Sequence, residues 1–477
     1  MLIAGRWVGS ESGASFVATS PSSGAVIGAV AEGTRADAQT AIAAANDASK
    51  GWAGRSAFER ARVMRRIAEV IDSRRKALAE VLTLDQGKPL VESFDEVEEL
   101  IAYFEMAAED ATRLEGLMPP SVDAAKRVLL YRVPRGVVGV ISPWNWPYTM
   151  PAEILAPALA AGNCVVWNPA STTSVCAVAL CEAIAEADLP PGVLNMVTGP
   201  GRVVGDEIAS SPGTHAIGFI GSVGAGITIA TRAAGKELLL EMGGNGPLVV
   251  LDDADLDSAV RATLTACFLN AGQSCTAGEL VLVQREVHDA YLERLREAVT
   301  KEVRLGDPFD EATTMGPLNN AAVAEKTRAH LEEAEGRGAM VVNGGERAPG
   351  FATDLYFEPT VVDDVTMEMA IAREETFGPV APVVVIEDES DAIRIVNGSE
   401  YGLLTGVFTG DIGRGLRYAE QVRCGWVNVN EGTNYWESHL PFGGRAGSQS
   451  GVGRVGGRFS MERLTEWKTV IVNLGGA

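Results

Sequence analysis

Apolar and polar positions along the first third of the chain follow the spacing of helices. Thr34 predicts the N-cap of an alanine-rich helix running to about Ser49. From about Ala57, apolar residues recur at Val63, Ile67, Val70 and Ile71, then at Leu78 and Val81, as on one face of an amphipathic helix. Gly87 and Pro89 interrupt it, a further acidic helix covers roughly 91–108, and Pro119 and Pro120 mark a break. Strand–helix alternation follows. Apolar runs at 136–142, 163–167, 193–197, 215–220 and 237–241 predict strands, with segments of helical composition between them, such as 175–187. That order implies a parallel, doubly wound sheet with right-handed crossovers, a fold that binds ligands beyond the carboxyl ends of its strands. A second α/β block starts near Pro247, with strands expected at 248–251, 279–284, 339–343, 380–386, 403–408 and 425–429. The runs 127–133 and 464–474 read as strands outside both sheets.

Composition narrows the class. A chain of 477 residues, 46% of them hydrophobic, is long enough for two or three domains around large cores. With 40 Lys+Arg against 63 Asp+Glu and a net charge of -23, it has no basic patch of the kind nucleic acid requires. The start, Met-Leu-Ile-Ala-Gly-Arg-Trp-Val, lacks a signal-peptide pattern, and no uncharged apolar run reaches membrane-spanning length. The 6 cysteines form no C-x-x-C pair, so neither a disulfide framework nor a zinc site is expected. A cytoplasmic protein without membrane, metal or nucleic-acid partners is the expectation.

Five segments carry candidate chemistry. Cys275 follows a predicted helix in Asn270-Ala-Gly-Gln-Ser-Cys275-Thr-Ala-Gly, a polar turn suited to a reactive thiol, whereas the other five cysteines sit in or beside apolar patterns. Glu241 ends an apolar strand and precedes Gly243 and Gly244, where partial burial raises a carboxylate towards the range of a general base. Asn145, in Ser142-Pro-Trp-Asn-Trp-Pro147, follows another strand and offers an amide to a developing oxyanion. Gly221-Ser222-Val-Gly-Ala-Gly226 runs a strand into a helix start suited to a diphosphate, and Gly199-Pro-Gly-Arg202 is a second glycine-rich turn. Glu374-Glu375-Thr-Phe377 joins carboxylates to an aromatic ring.

Together these segments resemble the aldehyde dehydrogenase superfamily. The spacing from Glu241 to Cys275 fits its general-base and nucleophile motifs. Pro143-Trp-Asn145, Gly162-Asn-Cys-Val-Val, Gly221-Ser222, Glu375-Thr-Phe377 and Pro441-Phe-Gly-Gly444 fall in its order, as do Gly51-Trp52 and Gly87-Lys88-Pro89. The resemblance implies two Rossmann-like α/β domains and a small β oligomerisation arm. It places the cofactor-binding domain at 1–117, 135–243 and 444–460, the catalytic domain at 244–443, and the arm at 118–134 and 461–477. It implies NAD(P)-dependent oxidation of a small aldehyde: Cys275 forms a thiohemiacetal, Asn145 and the Cys275 amide hold the oxyanion, hydride passes to the nicotinamide, and Glu241 activates water against the thioester. Ser142, Trp144, Asn168, Ser171, Arg202, Gly221, Ser222, Met242, Glu375 and Phe377 are the implied cofactor residues. Trp146, Tyr148, Met150, Glu153, Ser274, Thr276 and Phe442, with Trp436 and His439 of the loop 431–439, are the expected substrate lining; its aromatics and its two or three carboxylates could receive a cationic or hydroxylated aldehyde, and no substrate is inferred from them.

The chain also departs from the family's pattern. The usual adenosine-side Lys-Pro-Ser-Glu reads Asn168-Pro-Ala-Ser171, which removes both a carboxylate that repels a 2′-phosphate and a lysine that would hold one. NAD and NADP both remain open, with Arg202 a possible compensating charge. Met242-Gly-Gly-Asn245-Gly246 stands for the more usual Leu-Gly-Gly-Lys-Asn, without expected loss of activity. Alternatives are a coenzyme A-acylating enzyme, for which Glu241 is superfluous, and a binding protein on the same fold. A cysteine hydrolase would need a histidine beside Cys275, and only His439 is expected near. The runs 127–133 and 469–472 match the family's arm, which implies a homodimer or homotetramer.

Overall fold

A computed structural model describes residues 1–475. The chain builds two large sheets, each around its own apolar core. In the 8-stranded sheet, Glu237–Met242, Ala216–Gly221, Val137–Ile141, Cys164–Asn168 and Leu194–Met196 lie side by side in parallel. Antiparallel strands close its edges: Gly451–Val452 on one side, Leu2–Ile3 and Arg6–Trp7 on the other. Helices cover both faces, so the central strands are buried throughout and read as unbroken apolar runs. All the strands expected here form.

The 7-stranded sheet runs Met340–Asn343, Thr360–Asp363, Val380–Ile386, Leu280–Gln284, Pro247–Val250, Leu404–Phe408 and Trp426–Val429. All its neighbours are parallel except the first pair. Thr360–Asp363 was not expected; it is a short run closed by Pro359 and by Asp364 at φ 53°.

The helical reading of the first third holds from residue 35 onward. Arg35–Ala53 carries a capping box of Thr34 and Asp37, and Ala57–Ser73, Arg75–Gln86 and Leu90–Ala111 follow. It fails before that. Ser15–Thr19 and Val26–Ala31 pair as an antiparallel hairpin, built from small residues whose alternation is too weak to signal a strand. Lys126–Pro134 and Thr465–Asn473 form a separate antiparallel ribbon, as the runs 127–133 and 464–474 suggested. The last residues of the span 461–477 lie outside the described residues. Among the described residues no helix is long and apolar enough to cross a membrane.

The site lies between the sheets. Glu241 and Ser222 stand at the carboxyl ends of first-sheet strands; Cys275 and Glu375 stand just before second-sheet strands. Gly451 binds the edge of the Glu241 strand with φ +117°, and a Cβ there would come within 2.0 Å of the Leu240 carbonyl oxygen. Only glycine permits that approach.

Candidate active site

The loop that carries Cys275 is bent sharply after helix Leu256–Phe268. Asn270, Ala271 and Gly272 take left-handed φ of 50°, 55° and 73°, so the first two carry strain of about 1–3 kcal/mol each. Buried side chains hold them there. The Asn270 amide N–H donates to Glu92 Oε2 at 3.0 Å, and Gln86 Nε2 donates to Asn270 Oδ1 at 3.0 Å. Asn270 Nδ2 in turn donates to the Asn145 carbonyl at 2.9 Å, tying the Cys275 loop to the Asn145 loop. Cys275 follows in a turn, buried at 8% exposure, while the other cysteines pack in the cores or, for Cys424, half-buried.

A second tether comes from beneath. Lys88 and Glu96 form a fully buried ion pair at 2.6 Å. Lys88 Nζ also donates to the Asn145 carbonyl at 3.0 Å and lies 3.5 Å from the centre of the Trp146 ring. Glu96 Oε1 accepts from the amides of Tyr148 and Thr149 at 2.8 and 3.2 Å, capping helix Thr149–Ala161. Asn145 Nδ2 donates to the Gln273 carbonyl at 3.1 Å, which points its amide at the Cys275 loop.

The electrostatics are dominated by buried carboxylates. Burial pushes the Glu241 carboxyl up to about 8, against the pull of the neighbouring Cys275 thiol and with the help of Glu375. Its Oε1 has no hydrogen-bond partner. The Cys275 thiol is raised well above its ordinary value by burial and by Glu241, Glu153 and Glu375. Burial lifts Glu375 to about 7, while the Gly244 N–H, 3.2 Å from Oε1, and Lys326 pull it back. Sequence reasoning passed over Glu279, a buried carboxylate that accepts from the amides of Thr376 and Phe377 at 2.5 and 2.6 Å and so fixes the turn in which Phe377 has φ 64°.

Two cavities meet at Cys275, Glu241 and Met150. One, of about 290 Å³, is walled by Trp144, Asn145, Gly221, Ser222, Glu375 and Phe377, with the Trp144 and Phe377 rings edge to face at 5.6 Å. Asn320 and Lys326 also line it and were not anticipated. The Ser222 hydroxyl caps no amide of helix Val223–Arg232, and the space above Gly224 is open, so the first-turn amides are free for a diphosphate. The other, of about 180 Å³, is lined by Trp146, Met150, Glu153, Ser274, Thr276, Trp436 and Phe442, all expected. Glu92, Asp95, Glu96 and Glu99 join them unexpectedly, with Thr149, Leu269 and Asn434.

Other expected residues stand elsewhere. The His439 side chain is 59% exposed and faces Glu437 at 3.5 Å, so it lines neither cavity. Tyr148, on the same helix start as Trp146, is buried with its hydroxyl donating to the Leu78 carbonyl. Asn168 is buried and donates to the carbonyls of Val197 and Gly199 at 2.9 and 3.2 Å, which turns it into the fold. The Ser142 hydroxyl accepts from Trp167 Nε1 at 2.9 Å, and the Met242 side chain packs against Gly226. Ser171 and the exposed Arg202 do not line either cavity.

The sequence profile described as the aldehyde dehydrogenase family matches residues 7–470. The chain belongs to the aldehyde dehydrogenase family. It is an NAD(P)-dependent aldehyde dehydrogenase, which oxidises aldehydes to acids. It is similar to the mitochondrial succinate-semialdehyde dehydrogenase of Arabidopsis thaliana, 39% identical over 98% of this chain and 88% of that protein. It is also similar to the NADP(+) succinate-semialdehyde dehydrogenase of Escherichia coli, at 37% identity over 99% of this chain and 97% of that one. The betaine aldehyde dehydrogenase of Staphylococcus aureus, solved in complex with NAD+, superposes with a TM-score of 0.97 at 34% identity, covering 100% of this chain and 95% of that one. Both α/β sheets and the small antiparallel ribbons are thus those of an aldehyde dehydrogenase fold.

Proposed function

We propose that Cys275 is the nucleophile, Glu241 the base that activates hydrolytic water, and Asn145 the oxyanion donor of this aldehyde dehydrogenase. The observation that carries the reading is that Cys275 and Glu241 line both cavities at once, one also walled by Ser222, Glu375 and Phe377 and the other by Trp146, Glu153 and Trp436. Glu241 is buried with one oxygen unpartnered among the described residues, so it can hold a proton taken from water. Cys275, its thiol proton lost to solvent, adds as thiolate to the aldehyde carbon. Asn145 Nδ2, braced by Lys88 and Asn270 through its own backbone carbonyl, donates to the oxygen as negative charge develops there. The nicotinamide of NAD or NADP, when bound, supplies the acceptor for the departing hydride. The acyl group left on Sγ is then a thioester. Glu241 removes a proton from water, the hydroxide attacks, and the acid and the thiol are released. Glu375 would hold the nicotinamide ribose, Trp144 and Phe377 would pack beside the ring, and Ser222 with the helix amides behind it would hold the diphosphate.

We also assign cofactor binding to the first sheet with its helices, catalysis to the second, and subunit pairing to the ribbon of Lys126–Pro134 and Thr465–Asn473. The test of the chemistry is a panel of aldehydes with each cofactor, following reduced nicotinamide and acid, with Cys275→Ala as control. Acid is expected without coenzyme A, and not from the variant. Aldehyde-dependent reduction by Cys275→Ala would remove it as nucleophile; acid derivative formed only with coenzyme A would remove the hydrolytic step.

A further inference from the structure

The aldehyde cavity is walled by carboxylates and aromatic rings, and among the described residues no lysine, arginine or histidine lines it. Helix Leu90–Ala111 presents Glu92, Asp95, Glu96 and Glu99 to it, spaced three and four residues apart along one face. The one cation beneath them, Lys88, is already paired with Glu96. Glu153 comes from the facing helix Thr149–Ala161. It is 3% exposed; Tyr103 Oη donates to its Oε1 at 2.8 Å, and its other oxygen has no hydrogen-bond partner among the described residues. Aromatic rings share its cavity: Trp146, Trp436 and Phe442 line it with Glu153, Trp436 and Phe442 lie 5.6 Å apart, and Tyr103 lies 6.5 Å from Trp436. A buried carboxylate with a free oxygen inside a ring of aromatic faces lacks one thing, a positive charge.

Resting on the assignment of Cys275 as nucleophile, we propose that this pocket selects short aldehydes carrying a positive charge, with Glu153 and the surrounding rings receiving an ammonium group. Size agrees: a cavity of about 180 Å³ admits a small aldehyde. Position agrees too. Glu153 lines the same small cavity as Glu241 and Cys275, so the ammonium would lie near the carbonyl. Burial holds the Glu153 carboxyl well above its ordinary value and Glu99 at about 7, and an ammonium beside them would favour their charged forms. An aldehyde bearing a carboxylate would meet no positive charge in this lining.

The test uses two aldehydes of the same shape, trimethylammonioacetaldehyde and its neutral isostere 3,3-dimethylbutanal, with succinate semialdehyde as the anion. On the full-length enzyme with saturating cofactor, kcat/KM for the cation is expected to exceed that for the isostere about tenfold or more, the anion ranking last. In Glu153→Gln the cation-to-isostere ratio should fall towards one, chiefly through the KM of the cation. The ratio is read on one sample, so a partly inactive preparation does not alter it. A wild-type ratio near one, or preference for the anion, would overturn the charge selection while leaving the nucleophile assignment standing. An unchanged ratio in Glu153→Gln would overturn the role of that residue. Turnover of all three that persists in Cys275→Ala would overturn the underlying assignment and this inference with it.

Discussion

At Glu241, burial does the work that selects a base. Its carboxyl is pushed up to about 8 because there is neither solvent nor a full set of donors to stabilise the charge. A base must be ionised to accept a proton, so its contribution is present above that value and is lost as pH falls below it. Steady-state turnover is therefore expected to rise with pH and level off above about 8, read from kcat over a pH series. In Glu241→Gln the acyl group should still form on Cys275, giving a single-turnover burst of reduced cofactor, while steady-state turnover drops about 10² to 10⁴-fold and loses that pH limb. A variant that retained the limb would show that another group is the base. That Cys275, Glu241 and Asn145 line one cavity was legible in the sequence, because each follows or precedes an apolar strand with glycines or prolines beside it. His439 was misjudged because proximity along the loop 431–439 says nothing about which way a side chain turns.

The carboxylates of helix Leu90–Ala111 show where element-level reading falls short. An acidic helix reads as a solvated face, and Asp95 and Glu98 are indeed exposed. Yet Glu92, Glu96 and Glu99 recur at the spacing of one face together with Tyr103, and that face is turned inward. The signal was in the sequence, as charge at apolar positions of a helical repeat, but it becomes interpretable only once Lys88 is seen beneath it. Neither the hairpin Ser15–Thr19 with Val26–Ala31 nor Thr360–Asp363 had such a signal, because each is short and takes its order from neighbours distant in sequence. The buried pair gives an element-scale prediction. Lys88→Met leaves Glu96 uncompensated and releases the Asn145 carbonyl, so it should cost about 3–5 kcal/mol in denaturant unfolding. Cysteine acylation, measured as the burst rate, should slow as well. Lys88→Met with Glu96→Gln should recover much of the stability but not the burst rate, since the Asn145 carbonyl has still lost its tether. Equal recovery of both would mean that the lysine only balances charge.

The two large sheets bury their strands, but the ribbon of Lys126–Pro134 and Thr465–Asn473 does not. An isolated pair of strands is marginally stable in water, and among the described residues this one leaves the outer edge of Thr465–Asn473 without a neighbour. Leu129, Tyr131, Trp467, Ile471 and Val472 are all exposed along it, an apolar surface that a monomer would have to keep in water. The isologous pairing of a second copy, edge to sheet or ribbon to ribbon, would cover both the open hydrogen bonds and the apolar side chains. A homodimer or homotetramer is therefore expected by light scattering. Ile471 is 61% exposed within one chain, so Ile471→Asp leaves the fold of that chain with little reason to change. The variant should shift the mass towards the 50.2 kDa of a single chain, with far-ultraviolet circular dichroism unchanged. A wild-type protein that already scatters as one chain would remove the arm's role in pairing, and a variant that stays fully assembled would place the contact on another surface.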